Sequence, residues 1–509
     1  MAVNTTHEDY KEMSAKWKRC RDAAEGQDAV HKAGTEYLPL LADQSAKEYD
    51  AYKMRTSFYN ATWRTISGLQ GMLFRKPSVV EVADVVKPML EDVSLCGENL
   101  HMFTLELLEE ALTVGRVGIF VDYPTIDPKN ATQADSKSLG LRPILKQYCT
   151  ESIINWKESV IGNSCVLSMV VLAEEVNLPG DSEFDVVEGT QYRVLDLAIL
   201  PKELGDPQLV YRVRVFTIDP KTNADVLMST THPIIKGKYL TTIPFFVIGT
   251  DSVEICPDSP PLIDLVDINL SHYRTNADYE HGCHFTGLPT PVISGYTPDK
   301  EGQSFGIGSM TAWVFPRPDA RATYLEFTGQ GLKALEANLA RKETQMTVLG
   351  ARMLESQQSN GDSQGGAAMN MGGEQSILAS ISQAASIGIE RALVMFSKFA
   401  GTDQPATFRL NKDFFPMPMS ALNLTALVAS WQNGAISYQT LFDNLQRGEV
   451  VDIDQTVQKE LAGMDLHKPE IPGGTKVNQA GTTGNHETTM FGSSGNNPTQ
   501  RQLQTPPKA

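Results

Sequence analysis

The alternation of apolar and polar positions predicts three amphipathic helices in the first part of the chain. Tyr10, Met13 and Trp17 follow one another at steps of three and four residues, which places them on one helical face. The last of the three helices closes at Gly115, a residue type favoured just after a helix end. The predicted spans are about 7–24, 48–72 and 99–114.

Short runs rich in β-branched and aromatic residues dominate the next part of the chain. "RVGIFVDYP" ends at Pro124, and runs such as "CVLSMVVLAEEV" and "QLVYRVRVFTI" follow it, separated by Gly, Pro and Asp. Runs of this kind, bounded by turn residues, predict β-strands. We therefore predict one α/β domain over residues 30–258.

Two long helical patterns flank a segment rich in proline and glycine. The first begins at the pair Pro260 and Pro261, and proline is favoured at helix starts. The second has an apolar stripe on one face and charges on the opposite face. The stripe consists of Leu332, Leu335, Leu339, Met346, Leu349 and Met353, and the charges are Lys333, Glu336, Arg341, Lys342 and Glu343. The proline- and glycine-rich composition of the segment between the helices predicts a compact β-rich insert.

A long polar connection, "ESQQSNGDSQGGAAMNMGGEQS" (Glu355 to Ser376), follows the second long helix. Connections between helices usually need only about 2–8 residues, and longer ones tend to be functional or disordered. A helix over 377–400, a strand over 405–415 and a helical module over 420–464 are predicted next. The tail from His467 contains few apolar residues, so we predict that it is disordered.

Composition limits the classes of function. The 509 residues carry a formal net charge of −17, which argues against a generic basic DNA-binding surface. It remains compatible with a protein past which nucleic acid slides without being held. The six cysteines form no CxxC pair and are expected to be reduced thiols. No apolar leader and no run of roughly 18 apolar residues is present, so we expect a soluble, cytoplasmic protein.

Candidate catalytic, nucleotide-binding and metal-binding motifs are weak. His281, Cys283 and His284 lie close together, but a structural zinc site needs four ligands, usually in two spaced pairs. "FGIGSM" lacks the third glycine of a dinucleotide-binding loop, and the chain contains neither GxxxxGK[ST] nor GxSxG. We therefore expect no enzymatic activity, no cofactor and no metal site. The two one-sided helices instead predict a hairpin that buries its stripes against copies of itself, and closed rings are a common way to do so.

Four long stretches resemble the portal proteins of tailed double-stranded DNA bacteriophages, the head-to-tail connectors. They are "TISGLQGMLFRKP", "PPLIDLVDINLSHYRTNADYEHGCHFTGLPTPVISG", "YLEFTGQGLKALEANLARKETQMTVLGARML" and "FRLNKDFFPMP". The similarity covers about residues 30–465 and rests on the order of the stretches. It implies an α+β portal fold with an α/β wing, a long helical stem hairpin, a small β-rich clip, a helical crown and a disordered tail.

The resemblance also implies segment boundaries. They are an N-terminal helical arm (1–29), the wing (30–258), stem helix 1 (259–284), the clip (285–328), stem helix 2 (329–354), a tunnel loop (355–376), a channel or wing helix (377–400), a return strand to the wing (401–417), the crown (418–466) and the tail (467–509).

The resemblance places the tunnel loop in a central DNA channel, which it narrows. Glycines allow the loop to adjust its conformation, and neutral amides contact phosphate weakly. The implied channel-facing residues of the loop are Gln357, Gln358, Ser359, Asn360, Asp362, Gln364 and Asn370. Lys333, Arg341 and Lys342 are candidates for a basic belt on the stem, with intersubunit ion pairs and solubility as equally open interpretations. The implied terminase- and adaptor-binding residues of the clip are Tyr296, Asp299, Lys300, Glu301 and Phe305.

The function implied by the resemblance is that of a portal at the unique capsid vertex of a virion, assembled in the bacterial host cytoplasm. A twelve-subunit ring would conduct double-stranded DNA without sequence specificity during packaging, retention and ejection. The implied partners are the terminase large subunit, a head-completion adaptor, and the major capsid and scaffolding proteins, with no membrane. Two alternatives stay open: another virion component, such as a head–tail adaptor or tail hub, which is usually shorter and lacks the stem hairpin, or an uncharacterised hydrolase with a pocket in 30–258.

Overall fold

The computed structural model describes residues 2–124, 140–179, 186–219, 221–287, 290–294, 319–325, 330–352, 376–414, 419, 421–448, 450–451 and 455–466. The chain divides into unit 1, Met1–Phe415, and unit 2, Pro416–Ala509. Helices and strands are both abundant, so the fold class is α+β, as the sequence predicts.

The α-helices lie largely where the apolar periodicity predicts them. Within the described residues they are α1 (Glu8–Glu25), α2 (Gln27–Ala33), α3 (Ala46–Arg55), α4 (Ala61–Leu73), α5 (Leu100–Val114), α6 (Ile263–Gly287), α7 (Gln330–Arg352), α8 (Ile377–Phe399), α9 (Ala421–Gln432), α10 (Tyr438–Arg447) and α11 (Val457–Leu466). Local signals set several of these ends. The Asn99 side chain accepts a hydrogen bond from the Met102 N–H at 2.9 Å, and Gly115 ends α5 with φ of 84°.

One predicted helix is divided in two. The sequence predicts a continuous helix over 48–72, but the chain leaves the helical conformation at Thr56 and starts α4 after Asn60. The Asn60 side chain accepts a hydrogen bond from the Trp63 N–H at 2.9 Å and donates one to the Ala24 carbonyl at 3.0 Å. Asn60 therefore caps α4 and ties it to α1, which favours the break over a continuous helix.

The strands of unit 1 pair only in antiparallel ladders among the described residues. They are β1 (Val79–Glu81), β2 (Arg116–Asp122), β3 (Ile144–Cys149), β4 (Ile153–Ile161), β5 (Ser164–Pro179), β6 (Val186–Ile199), β7 (Leu209–Ile218), β8 (Asp225–Thr231), β9 (Ile234–Ile235), β10 (Lys238–Tyr239), β11 (Phe245–Gly249), β12 (Thr290–Ser294), β13 (Arg321–Leu325) and β14 (Thr407–Arg409). One sheet is a meander in the order β4-β5-β6-β7-β8, and a second has the order β11-β2-β3. The predicted α/β domain over 30–258 is therefore an α+β arrangement.

The core of unit 1 forms where helices cover the β11-β2-β3 sheet. Helix α8 packs on β11 so closely that a Cβ placed on Gly388 would lie 2.6 Å from Cγ1 of Ile248. Of the helices in the described part of the chain, α8 alone is long and apolar enough to cross a membrane by length and composition. More than half of its apolar window is buried, and Ile381, Ile389 and Phe396 belong to the main core.

The predicted return strand is present in shortened form. The sequence predicts a strand over 405–415, and the structure has β14 paired antiparallel with β1, with Val79 opposite Arg409. Two strands far apart in sequence therefore meet, as a return of the chain to the first domain requires. The ladder has three residue pairs and is separate from the two larger sheets.

The N-terminal helix, predicted as a helical arm over 1–29, packs into the core of unit 1. Trp17 of α1 is completely buried, and Cys20 is 1% exposed. Arg21 forms ion pairs with Glu110 at 2.7 Å and with Glu151 at 2.6 Å. These contacts connect α1 to α5 and to the segment after β3, so the helix is held from several sides.

A buried guanidinium lies beneath α1. Arg116, at the start of β2, is fully buried and donates hydrogen bonds to the Thr150 hydroxyl and to the carbonyls of Thr150, Ile153 and Ile255. Its Cζ lies 5.3 Å from the ring centroid of Trp17 and 4.6 Å from that of Trp156. Burial lowers the pKa of Arg116 to about 10, so the side chain remains charged at neutral pH. Arg116 thereby joins four chain segments at one point.

Candidate functional site

Helices α6 and α7 form an antiparallel hairpin. Near one end, Leu265 of α6 packs with Met346 of α7. Near the other end, a Cβ on Gly282 would lie 2.6 Å from Cδ2 of Leu332, so the helices approach closely there. The absence of a side chain at Gly282 therefore permits the contact.

The hairpin continues into a β ladder beyond the helices. Strands β12 and β13 pair antiparallel, from Thr290 opposite Leu325 to Ser294 opposite Arg321. The order helix, strand, strand, helix agrees with the sequence prediction of two long helices around a β-containing insert. Most of the insert lies outside the described residues.

Helix α6 is buried on two sides, which corrects the prediction of a one-sided helix. One side faces α7, and Val266, Leu270 and Tyr273 on the other belong to a cluster with residues of α1 and α3. Polar contacts reinforce that second side. The Tyr52 hydroxyl donates to Asp278 at 2.7 Å, and Arg19 pairs with Asp267 at 2.9 Å.

Helix α7 is one-sided, as its periodicity predicts. Leu339 is 9% exposed and Met346 is 3% exposed, whereas Lys333, Arg341 and Glu343 are exposed. Met346 and Leu349 of the stripe pack with Leu265 and Ile268 of α6 and with Ala61 of the same chain. The described part of the stripe is therefore partly covered within one subunit, which the prediction of cover by copies of the chain did not include. The charged outer face of α7 is exposed to solvent.

Lys342 lies in the seam and not with the exposed charges of α7. Its ammonium group donates hydrogen bonds to the Ser271 carbonyl at 2.8 Å and to the Thr275 hydroxyl at 2.6 Å. The prediction that Lys342 lines the channel is therefore corrected. Its spacing explains the burial, because Lys342 follows Leu339 by three residues and precedes Met346 by four and so shares the face of the apolar stripe. Burial lowers the pKa of Lys342, and the nearby charges of Arg274 and Arg341 lower it further.

A second titratable group, His272, lies beside Lys342. It is 5% exposed, and its Nε2 lies 3.4 Å from a carboxylate oxygen of Glu343, too far for a good hydrogen bond. Burial lowers the pKa of His272, an effect that Glu343 partly opposes. A folded-state pKa below the unfolded value means that stability is lost as pH falls below the ordinary histidine range. His272 therefore prefers to be neutral in the closed seam.

Replacing Lys342 with methionine is expected to stabilise the folded chain by about 1 kcal/mol at pH 7, because a buried charge gives way to an apolar side chain of similar length. The pKa of Lys342 is below its ordinary value of 10.5, so stability in the native chain should rise with pH towards 10.5 and the advantage of methionine should shrink. Denaturant unfolding at pH 7 and pH 10 measures both effects.

Lys333→Met, on the exposed face of the same helix, is the control and is expected to change stability by less than about 0.5 kcal/mol. A clear loss of stability in Lys342→Met would mean that its hydrogen bonds to Ser271 and Thr275 outweigh the cost of burying the ammonium group.

The polar residues of the seam escaped the sequence analysis. His272 follows Leu265 by seven residues and Thr275 follows it by ten, so both share a helical face with an apolar residue. This spacing is the sequence signal from which the burial of His272 and Thr275 could be predicted. The other predicted site residues, those of the tunnel loop (Gln357, Gln358, Ser359, Asn360, Asp362, Gln364 and Asn370) and of the clip (Tyr296, Asp299, Lys300, Glu301 and Phe305), lie outside the described residues.

A cavity of about 510 Å³ lies within unit 1, and none of its described lining residues belongs to α6 or α7. Its described lining residues are Arg21, Ala24, Glu25, Trp63, Glu106, Glu109, Glu110, Thr113 and Gln147. Burial and the neighbouring carboxylates raise the pKa of Glu109. The described lining contains no histidine, serine or cysteine, so it offers no nucleophile–histidine pair of the kind used in hydrolases.

Comparison with known proteins gives one family and several structures. A family described as "Domain of unknown function (DUF4055)" matches residues 261–400, which contain α6, β12, β13, α7 and α8. No curated protein matches the chain.

Three of the similar solved structures are of gene transfer agent (GTA) particles. The neck of an empty particle, computed with six-fold symmetry, is 13% identical with a TM-score of 0.37, over 76% of this chain and 90% of that chain. The virion of the native particle is 11% identical with a TM-score of 0.35, over 80% and 95%. The neck of the native particle, computed with twelve-fold symmetry, is 12% identical with a TM-score of 0.33, over 77% and 91%.

Proposed function

We propose that this chain is the subunit of a portal, a ring at the capsid vertex through which double-stranded DNA enters and leaves a virion. The observation that carries the proposal is the antiparallel hairpin of α6 and α7 with the β12–β13 ladder at its end. The hairpin has the order of a portal stem and clip, and it is anchored in unit 1 through α6.

The outer face of α7 suits a surface that meets either DNA or a neighbouring subunit. Lys333 and Arg341 are exposed there together with Glu336 and Glu343. Charges of both signs on one face discourage tight binding of a polyanion, since attraction by lysine and arginine is offset by repulsion from glutamate. We retain Lys333 and Arg341 as stem residues of the channel and withdraw Lys342.

Weak contact with DNA is the property that a conduit requires. Each phosphate neutralised by a bound cation steepens the salt dependence of binding by about 0.9 in a log–log plot. A net charge of −17 per chain keeps the number of such contacts low. The ring therefore conducts DNA without holding it.

The rest of the proposal follows the sequence resemblance. Residues 355–376 form the tunnel loop, and residues 285–328 form a clip that binds the terminase large subunit and later a head-completion adaptor. The ring has twelve subunits, assembles in the bacterial cytoplasm with capsid and scaffolding proteins, and has no enzymatic activity of its own.

Deleting Ser359 to Gly373 is expected to leave ring assembly unchanged and to reduce the DNA packaged or retained several-fold. The physical reason is composition, because the segment has few apolar side chains with which to stabilise a subunit or an interface. Nuclease protection of DNA in assembled heads measures retention, and light scattering measures assembly.

A chain in which the same residues are replaced by a Gly/Ser segment of equal length serves as the control for loop length. If the deletion abolished assembly while the replacement restored it, the loop would be a structural element and its role in the channel would be wrong.

A further inference from the structure

His272 is a buried imidazole without a hydrogen-bond partner. Its side chain lies between α6 and α7 and is 5% exposed, and neither ring nitrogen has a partner among the described residues. The nearest carboxylate oxygen, from Glu343, lies 3.4 Å from Nε2, and the ring centroid of Tyr59 lies 5.8 Å from that of the imidazole. A buried polar group that no hydrogen bond satisfies costs stability, so apolar packing does not explain a histidine at this helix contact.

The contact between α6 and α7 suits the neutral imidazole. A protonated ring would place a second positive charge close to the ammonium group of Lys342. The carboxylate of Glu343 would attract it, but this side chain is 55% exposed, so water screens the attraction. Burial lowers the pKa of His272, Glu343 partly opposes this shift, and Lys342 adds to it. A charged His272 is therefore stable only when water reaches the ring.

The charged groups that act on His272 come from α7, in the part of the chain that the structure describes. Helices α1 and α3 pack on the opposite side of α6, and α4 contacts α6 through a hydrogen bond between a hydroxyl and an amide. Arg274 of α6 and Arg341 of α7 add positive charge beside Lys342. The groups engaged on the opposite side of α6 include Arg19, Asp267 and Asp278.

Helix α7 depends on α6 for its position. Among the described elements, α6 is the one with which α7 makes its most extensive contacts. Met346 and Leu349 pack there with Leu265 and Ile268, and Ala61 of α4 completes the cluster. Helix α6 has a second buried side against α1 and α3. Loss of the contact between the two helices would therefore free α7 while α6 stays in place.

We propose that protonation of His272 releases α7 from α6, so that the hairpin is a pH-sensitive switch. The proton binds the free ring nitrogen, and the imidazolium and the ammonium group of Lys342 are then separated by the entry of water. All of these groups belong to one subunit, so the inference does not rest on the proposed ring. In such a ring, the switch would make the rigidity of the stem depend on pH.

The direction of the pH dependence follows from proton linkage. The folded-state pKa of His272 lies below its ordinary value of 6.5, so the open form of the hairpin binds a proton more readily than the closed form. The open fraction therefore rises as pH falls through 6.5. One proton can raise it by at most about tenfold for each pH unit, and the rise ends once His272 titrates in the closed form.

Hydrogen exchange of the full-length chain tests the proposal. It is expressed as protection factors, so that the intrinsic pH dependence of amide exchange is removed. Between pH 7.5 and pH 5.5, the amides of α7 should lose protection by about three- to tenfold. The amides of α8, a helix of the same unit without histidine, should keep theirs. Unchanged protection of α7 at pH 5.5, or an equally large loss in α8, would overturn the proposal.

His272→Phe keeps an aromatic ring but has no titrating group, so it should abolish the pH response of α7. His101→Phe, at an exposed histidine of α5, is the matched control and should leave the response unchanged. His272→Gln provides a second, polar replacement, and circular dichroism checks that each variant is folded. A response that persisted in the folded His272 variants would show that another group titrates, and the switch would be wrong.

The two neighbouring charges on α7 give a test with opposite signs. Glu343→Gln removes the attraction for a protonated His272 and should enlarge the loss of protection between pH 7.5 and pH 5.5. Lys342→Met removes the repulsion and should reduce that loss. Equal losses in the two variants would contradict the assigned roles. None of these results bears on the shape of the assembled particle, so failure of the switch leaves the portal proposal intact.

Discussion

Arg116→Ala is expected to lower the free energy of unfolding by at least about 3 kcal/mol. The substitution leaves three buried carbonyls and the Thr150 hydroxyl without their donor, and each unsatisfied buried group costs about 1–3 kcal/mol. It also removes the guanidinium between the rings of Trp17 and Trp156. Denaturant unfolding, followed by tryptophan fluorescence, measures the loss.

Arg116→Lys separates charge from geometry. Lysine keeps a positive charge but has no planar fork to reach several carbonyls at once, so we expect most of the loss to persist. Arg64→Ala, an exposed arginine of α4, is the control and should change stability by less than about 0.5 kcal/mol. An Arg116→Ala chain as stable as the native one would mean that β2, the segment from Thr150 to Ile153, Ile255 and α1 do not depend on this residue for their connection.

Trp17→Ala is expected to destabilise unit 1 by about 3–5 kcal/mol, the usual cost of removing a fully buried large aromatic side chain. Trp17 is completely buried, whereas Trp63 on the nearby α4 is 39% exposed. Trp63→Ala is therefore a matched control with a much smaller expected loss. Thermal unfolding of the two variants side by side gives the comparison.

The double variant of Arg116 and Trp17 tests whether the two residues act together. Because they are in contact, their losses should not add, and the double variant should be less destabilised than the sum by about 0.5 kcal/mol or more. Strict additivity would show that the stacking contributes nothing. A small effect of Trp17→Ala alone would mean that the packing of α1 contributes little to the stability of unit 1.

The sequence predicts the helices well where a local signal marks their ends. Asn99 and Gly115 define α5 through a side-chain cap and a left-handed glycine, both of which can be recognised from residue type. The division between α3 and α4 depends on the bond from Asn60 to α1, a contact between distant segments. Strand pairing also depends on contacts between distant segments. The strands can therefore be recognised from the sequence, but their antiparallel arrangement cannot.

The hairpin shows which buried positions the apolar periodicity of the sequence predicts and which it does not. Met346 follows Leu339 by seven positions in the apolar stripe, and Lys342 occupies the intervening position on the same face. Assigning it by charge to the exposed face was an error that the spacing itself could have prevented. The second buried side of α6 was not predictable, because its partners α1 and α3 lie more than two hundred residues earlier.

Electron microscopy of the purified full-length chain, viewed along the particle axis, tests the portal proposal most directly. The proposal predicts annular particles with a central opening and a mass many times that of the 55.8 kDa chain, with twelve-fold symmetry. A stable monomer at micromolar concentration, or a compact particle without an opening, would contradict it.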